Sequence, residues 1–366
     1  MLKFISTPSS GYITSLLGTA HASLFVFKIL TLAVRSLEHQ WDNLLTALLR
    51  LSKCSSCLPT CLYVTDVRRV QPILHLRTPT TDVFHGIYRG QKVFMKRYRC
   101  CSGSLSLEAA NQLLIREAVI WANHQHVGVL PFIGVFRRED NHPCESGLHL
   151  VSPFFEHGTI VQYLRTNSQA NRGLLVRDIL SAMAYLHSKK IVHGDIKGAN
   201  ILVNNSGRAC VADLGFSRLT EAAVLTWSSI QSTPSLGTYA WQAPERLEAY
   251  SVGKAISPTS ATDVYSVGCF CYEVFTNRTP FWNVEPDLAE TFRPYRIFKE
   301  VVKYDRRPLK PEPGSEAYLM RGLSEEIWEI MEACWQRNPS LRPSASQLTE
   351  LPAFFGIVYD RPSGPV

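Results

Sequence analysis

The strongest constraint on how this chain can fold is a change of apolar period near Ser152. Upstream of it, β-branched and aromatic residues come in short runs: DVFHGIY from 82, QKVFMKRY from 91, VLPFIGVF from 129 and LHLVSPFF from 148. Such runs predict strands of an antiparallel sheet. One helix interrupts them, LSLEAANQLLIREAVIWANH, in which Leu113, Leu114, Ala118, Trp121 and Ala122 share a face. Downstream, RGLLVRDILSAMAYLHS, TSATDVYSVGCFCYEVF and SEEIWEIMEACWQ predict long helices separated by Pro and Gly loops. A strand-rich part followed by a helix-rich part predicts an α+β chain of two lobes, with a ligand-binding cleft between them.

Ahead of the strands, residues 1 to 60 read as a mostly helical extension. Leu44, Leu45, Leu48, Leu49 and Leu51 recur near helical spacing, and no Pro interrupts from Gly11 to Leu58. The apolar run ASLFVFKILTLAV, residues 22–34, contains Lys28 and is about 13 residues long against the roughly 20 a spanning helix needs. It predicts an amphipathic helix and no transmembrane segment. The 10 cysteines are dispersed, and no cleavable signal sequence opens the chain. Reduced thiols and a cytoplasmic location follow, with the nucleus not excluded. Cys54, Cys57 and Cys61 form a C-x-x-C-x-x-x-C run, but no second ligand pair with zinc spacing follows it. The net charge of +7 is spread among acids rather than gathered in a basic stripe, so no nucleic-acid partner is expected.

The chemistry concentrates in IVHGDIKGANILV, residues 191–203, where an Asp, a Lys and an Asn stand between apolar runs. In it His193, Asp195, Lys197 and Asn200 resemble the protein-kinase catalytic loop H-R-D-x-K-x-x-N, with Gly194 in the arginine position. Transfer of a phosphoryl group needs a carboxylate to accept and orient the incoming hydroxyl, a cation near the migrating charge and a neutral oxygen ligand for magnesium. Asp195, Lys197 and Asn200 would supply those three in that order. Further parts follow in family order. ADLG, residues 212–215, resembles the magnesium-binding D-F-G element; Lys96 in VFMK resembles the sheet lysine, and Glu117 in IREAV its helix partner. An inward-facing Glu117 on an apolar face demands a cation.

GTYAWQAPE, residues 237–245, resembles the substrate-binding end of the activation segment, where Glu245 pairs with a buried arginine, here Arg342. Asp263 resembles the aspartate that anchors the catalytic loop's backbone. The resemblance runs from about 70 to 355, and CW at 334 and RP at 342 resemble the tyrosine-kinase-like group; the loop wording is similar to that of kinases abundant in mushroom-forming fungi.

What the resemblance implies is a two-lobed protein-kinase fold over 61–355, with lobes at 61–152 and 153–355 and a tail at 356–366. It implies ATP and Mg2+ as cofactors, with Asp195, Lys197 and Asn200 catalytic and Asn200 and Asp213 on the metal. Lys96, Glu117, Val83, Phe94, Ser152 and Phe154 would hold the nucleotide. Lys197 and Thr238 point to a protein substrate phosphorylated on Ser or Thr. The oligomeric state is not set by these motifs.

Three positions depart from the pattern. Counting back from Val83 puts Leu76, Thr78 and Thr81 where a glycine-rich hairpin would approach the phosphates. Phe94 takes the place of a small alanine facing the adenine, where its ring either fills the slot or stacks on the base. Gly194 removes the arginine that meets a phosphorylated activation loop, so phosphorylation among Thr226 to Thr238 is not expected to be the on-switch. Two readings of activity follow, a serine/threonine kinase or a pseudokinase scaffold with weak or no nucleotide binding. The intact segment before Glu245 argues against a kinase-fold enzyme for small molecules.

Overall fold

The computed structural model describes residues 41–77, 81–99, 106–138, 147–219, 238–254, 256–284 and 293–355. The apolar run at 22–34, the glycine-loop position Thr78, the stretch Thr226 to Gly237 and the tail lie outside the described residues. The chain divides into two compact units, Met1–Asn123 with Phe132–Ser152, and His124–Pro131 with Pro153–Val366.

The first unit is built on a five-stranded sheet ordered β1-β2-β3-β5-β4. Its strands are β1 (Arg68–Arg77), β2 (Thr81–Tyr88), β3 (Gln91–Tyr98), β4 (Gly134–Arg138) and β5 (Gly147–Pro153). β2 and β3 pair antiparallel without a break, Val83 opposite Lys96 and His85 opposite Phe94. Alternation then sorts the side chains. Phe84, Val93 and Met95 face one way and form a core with Val67 and Val151. Val83, His85, Phe94, Lys96 and Tyr98 share the other face.

The extension contributes helix α1 (Trp41–Ser55), whose five leucines are all buried. It packs on α2 (Leu107–Ala122), a helix started by Ser106, whose side chain accepts from the Ala109 amide. The strand expected over 129–136 begins only at Gly134. Val129 and Leu130 instead bond in the second unit, where Leu130 N donates to Val211 O at 2.8 Å and Val211 N donates to Gly128 O at 2.8 Å. β1 was not among the expected strands. Pro72 lies in it where the register with β2 breaks, between Arg69 and Leu74, and such an edge-strand irregularity is where a sheet admits proline.

The second unit is mainly helical. Its elements include α3 (Ile160–Thr166), α4 (Arg172–Ser188), α5 (Pro244–Ser251), α6 (Ser260–Thr276) and α7 (Glu325–Cys334). α6 is buried along most of its length and starts in a capping box between Thr259 and Thr262. Two small ribbons complete the unit. β6 (Ile191–Val192) pairs with β9 (Arg218–Leu219), and β7 (Ile201–Val203) pairs with β8 (Ala209–Val211). The chain thus has the expected α+β make-up, an antiparallel sheet with its helix followed by a helical part.

Candidate active site

The catalytic-loop residues lie between β6 and β7, and α6 fixes them from below at two points. Near its start, the buried Asp263 carboxylate accepts from the His193 amide at 2.8 Å (Oδ2) and the Gly194 amide at 2.8 Å (Oδ1), with His187 Nε2 3.0 Å from Oδ2. Near its end, Glu273 Oε2 accepts from the Gly198 amide at 2.8 Å and the Trp241 indole Nε1 at 2.7 Å. Asp195 and Lys197 are suspended between these two anchors.

Glycine sits without strain or crowding at both anchored ends. Gly194 has φ +83, the left-handed region that costs a side chain strain. At Gly198 a Cβ would sit 2.7 Å from Val161 Cγ2 and 3.2 and 3.3 Å from the Glu273 carboxylate oxygens. In place of the missing loop arginine, Arg246 of α5 reaches the same backbone, its Nη1 donating to Gly194 O at 3.1 Å.

Asp195 is buried. Its Oδ2 accepts from Asn200 Nδ2 at 2.8 Å and is ion-paired with Lys197 Nζ at 2.8 Å. Its Oδ1 is buried and has no hydrogen-bond partner. A buried carboxylate oxygen without a donor is costly, and it is the atom that an incoming O–H would satisfy. Lys197 Nζ also donates to Thr238 Oγ1 at 2.8 Å, which joins the loop to the segment leading to Glu245.

Asn200 spends its Nδ2 on Asp195, which leaves its amide oxygen as the atom of the type magnesium takes. The β7–β8 ribbon brings Asn200 beside Ala212, whose amide donates to Asn200 O at 2.9 Å, while His193 Nε2 lies 3.0 Å from Ala212 O. The next residue, Asp213, has φ 62 and its carboxylate accepts from the Gly215 amide at 3.2 Å. Leu214, in the Phe position of the motif, is buried. The Asn200 amide oxygen and the Asp213 carboxylate, flanking the β7–β8 ribbon, are donors of the kind a hard divalent cation takes.

In the first unit, Lys96 Nζ donates to Glu117 at 2.9 and 3.1 Å, and Tyr98 OH donates to Glu117 Oε2 at 2.8 Å. Glu117 is 1% exposed, so the cation and the phenol offset its desolvation. Phe94 lies on the face of Lys96, 9% exposed, with its ring centroid 5.4 Å from that of His85. Val83 is partly buried and paired with Lys96 and with Leu76. Ser152 is buried at the end of β5, and Phe154 follows it, half-buried, in the second unit. Of the glycine-loop positions, Leu76 and Thr81 are strand residues. The adjoining Asp82 carboxylate is bonded to Arg97 Nη2 at 3.2 Å and Arg99 Nη2 at 2.9 Å, so ion pairs rather than glycines define the start of β2.

Arg342 and Glu245 meet in a two-pronged pair, Nη1 to Oε1 and Nη2 to Oε2, both 2.8 Å. Sequence reasoning singled out Asp263 and Arg342 but passed over Glu273 and Arg246. A signal was present, because Asp263 and Glu273 are the only two charged residues of a mostly buried helix, and an acid drawn out of water implies dedicated donors.

Residues 82–354 match the protein kinase domain family. Mitogen-activated protein kinase kinase kinase 5 of Arabidopsis thaliana is 34% identical over 253 residues, covering 67% of this chain and 30% of that protein. Serine/threonine-protein kinase STY17 of the same plant is 28% identical over 279 residues, 74% of this chain and 41% of its own. The kinase YODA, a mitogen-activated protein kinase kinase kinase, is 29% identical over 266 residues, 71% and 26% respectively. The chain spans less than half the length of each of these relatives. It belongs to the protein kinase family, a family that as a rule uses ATP and magnesium. Among the described residues no helix is long and apolar enough to cross a membrane.

Proposed function

We propose that the chain is an active serine/threonine protein kinase that moves the γ-phosphoryl group of Mg-ATP to a protein hydroxyl. The observation that carries this reading is the asymmetry of Asp195: Oδ2 is occupied by Lys197 and Asn200, and Oδ1 is buried without a donor. Oδ1 orients the substrate hydroxyl and takes its proton as the new O–P bond forms and the bond to the leaving phosphate oxygen breaks. Lys197, held by Asp195 and Thr238, places positive charge beside the transferred group. Asn200 and Asp213 would hold the magnesium ion, and Lys96, kept in place by Glu117, would meet the phosphates. Bound Mg-ATP supplies the phosphoryl group and the metal charge that neutralises it. The relative STY17 carries serine/threonine kinase in its name, in keeping with a Ser or Thr acceptor.

A second reading, a scaffold that binds nucleotide weakly or not at all, draws on Phe94, a buried ring on the face of Lys96. One experiment separates the two: melting of the parent, Asp213→Asn and Phe94→Ala with and without Mg-ATP, alongside phosphate transfer to serine and threonine peptides. A kinase gains about 2.7 kcal/mol of stability at one hundred times the dissociation constant. Asp213→Asn then loses that gain, and Asp195→Asn lowers kcat by about 10²–10⁴. A parent that neither shifts nor transfers phosphate, beside a Phe94→Ala variant that does shift, would leave the scaffold reading standing and the kinase reading refuted.

A further inference from the structure

The middle of helix α2 is buried on every side. Residues Leu113 to Trp121 are consecutive and all buried, which a helix with one face on a sheet and the other in water cannot achieve. At about 100° per residue, Ile115 and Val119 lie about 160° round from Glu117 on either side, and Gln112 lies about 140° away. The stripe formed by Gln112, Ile115 and Val119 therefore points away from Lys96, yet Ile115 and Val119 are 1% and 0% exposed. Helix α1 packs on α2, and its leucines are buried. The contact also has a polar latch. Gln112 Nε2 donates to Lys53 O at 3.2 Å and to Ser56 Oγ at 2.6 Å.

We propose that residues 41–56, which precede the region matched by the kinase family, are a built-in brace: α1 and its Gln112 latch hold α2 in the position from which Glu117 reaches Lys96. The inference rests on the kinase reading for its catalytic consequence. Gly194 offers no guanidinium to an activation-loop phosphate, and α1 is a contact from within the chain placed to keep the pair assembled. Gln112 and Ser56 act on the reaction only through α2 and are positioning residues.

The test uses the full chain with Gln112→Ala and, separately, Ser56→Ala, an exposed site whose change leaves the core intact. Each is expected to speed amide exchange across 107–122 and to weaken Mg-ATP binding three- to tenfold, with the melting temperature nearly unchanged. In a Glu117→Gln background the Gln112→Ala change is expected to cost no further affinity, because the two act in one chain of contacts. A purely structural role predicts the opposite, the same added loss in both backgrounds. Phosphatase treatment of the parent is expected to leave its rate unaltered. Unchanged exchange in both single variants, full additivity with Glu117→Gln, or loss of activity on dephosphorylation would overturn the brace. A parent that binds no Mg-ATP would sink the kinase reading instead, and exchange across 107–122 would still decide the brace.

Discussion

Asp195 is buried and Glu273 half-buried, and their carboxylates differ in how donors reach them. Asp195 keeps one oxygen open, whereas Glu273 gathers two N–H groups on a single oxygen. Burial pushes the Glu273 carboxyl up from an ordinary value of 4.5 to about 7, against the downward pull of the Gly198 amide, the Trp241 indole and the Lys197 charge. The folded protein therefore holds a proton there that the unfolded chain has released, and stability falls as pH rises from about 4.5 to about 7 and levels off above. Glu273→Gln keeps an acceptor oxygen and removes the titration. Its melting temperature minus that of the parent is expected to grow between pH 5 and 7 and then stay flat, and a difference independent of pH would refute the assignment. That Asp195, Lys197 and Asn200 stand together was legible because they crowd into one short stretch. For Glu273 the sequence offered only its place as one of two acids in α6; its partners are 75 and 32 positions away and no local spacing connects them.

Among the elements, those with a clean period read correctly from sequence. The run from Arg172 to Ser188 is a helix end to end, and Gln91 to Tyr98 is a strand. VLPFIGVF misled because an apolar run reports burial and not pairing; its first residues serve the second unit through Val211. β1 escaped because Pro72 reads as a strand breaker until the interrupted register around it is seen. The catalytic loop is short enough for one methyl group to matter. Gly198→Ala would set a Cβ 2.7 Å from Val161 Cγ2 and 3.2 and 3.3 Å from the Glu273 carboxylate oxygens, so either the Val161 side chain or the loop must shift. On the kinase reading proposed above, the expected outcome is a drop in kcat of at least tenfold; an unaltered kcat would show that the loop has slack.

On the scale of the molecule, Arg342 does more than pair with Glu245. Its guanidinium also donates to Ala261 O at 2.9 Å and Gln336 O at 2.8 Å, so one side chain joins α5, the start of α6 and the end of α7. The pair was expected from the resemblance; the carbonyl contacts, which depend on how three segments converge, were not. Arg342→Ala leaves Glu245 and these carbonyls without their cation and is expected to cost about 3 kcal/mol, which lowers the melting temperature by roughly 6–12 °C. Glu245→Ala should cost less, since Arg342 keeps its carbonyls. Thermal melting of the two variants side by side checks both the size and the order. Helix α6 ties this framework to the chemistry, because Asp263 and Glu273 hang the reactive loop from it like a wire between two posts. Warming that loosens the posts slackens the wire in the same instant, so on the kinase reading turnover and the folded state would share one ceiling of temperature.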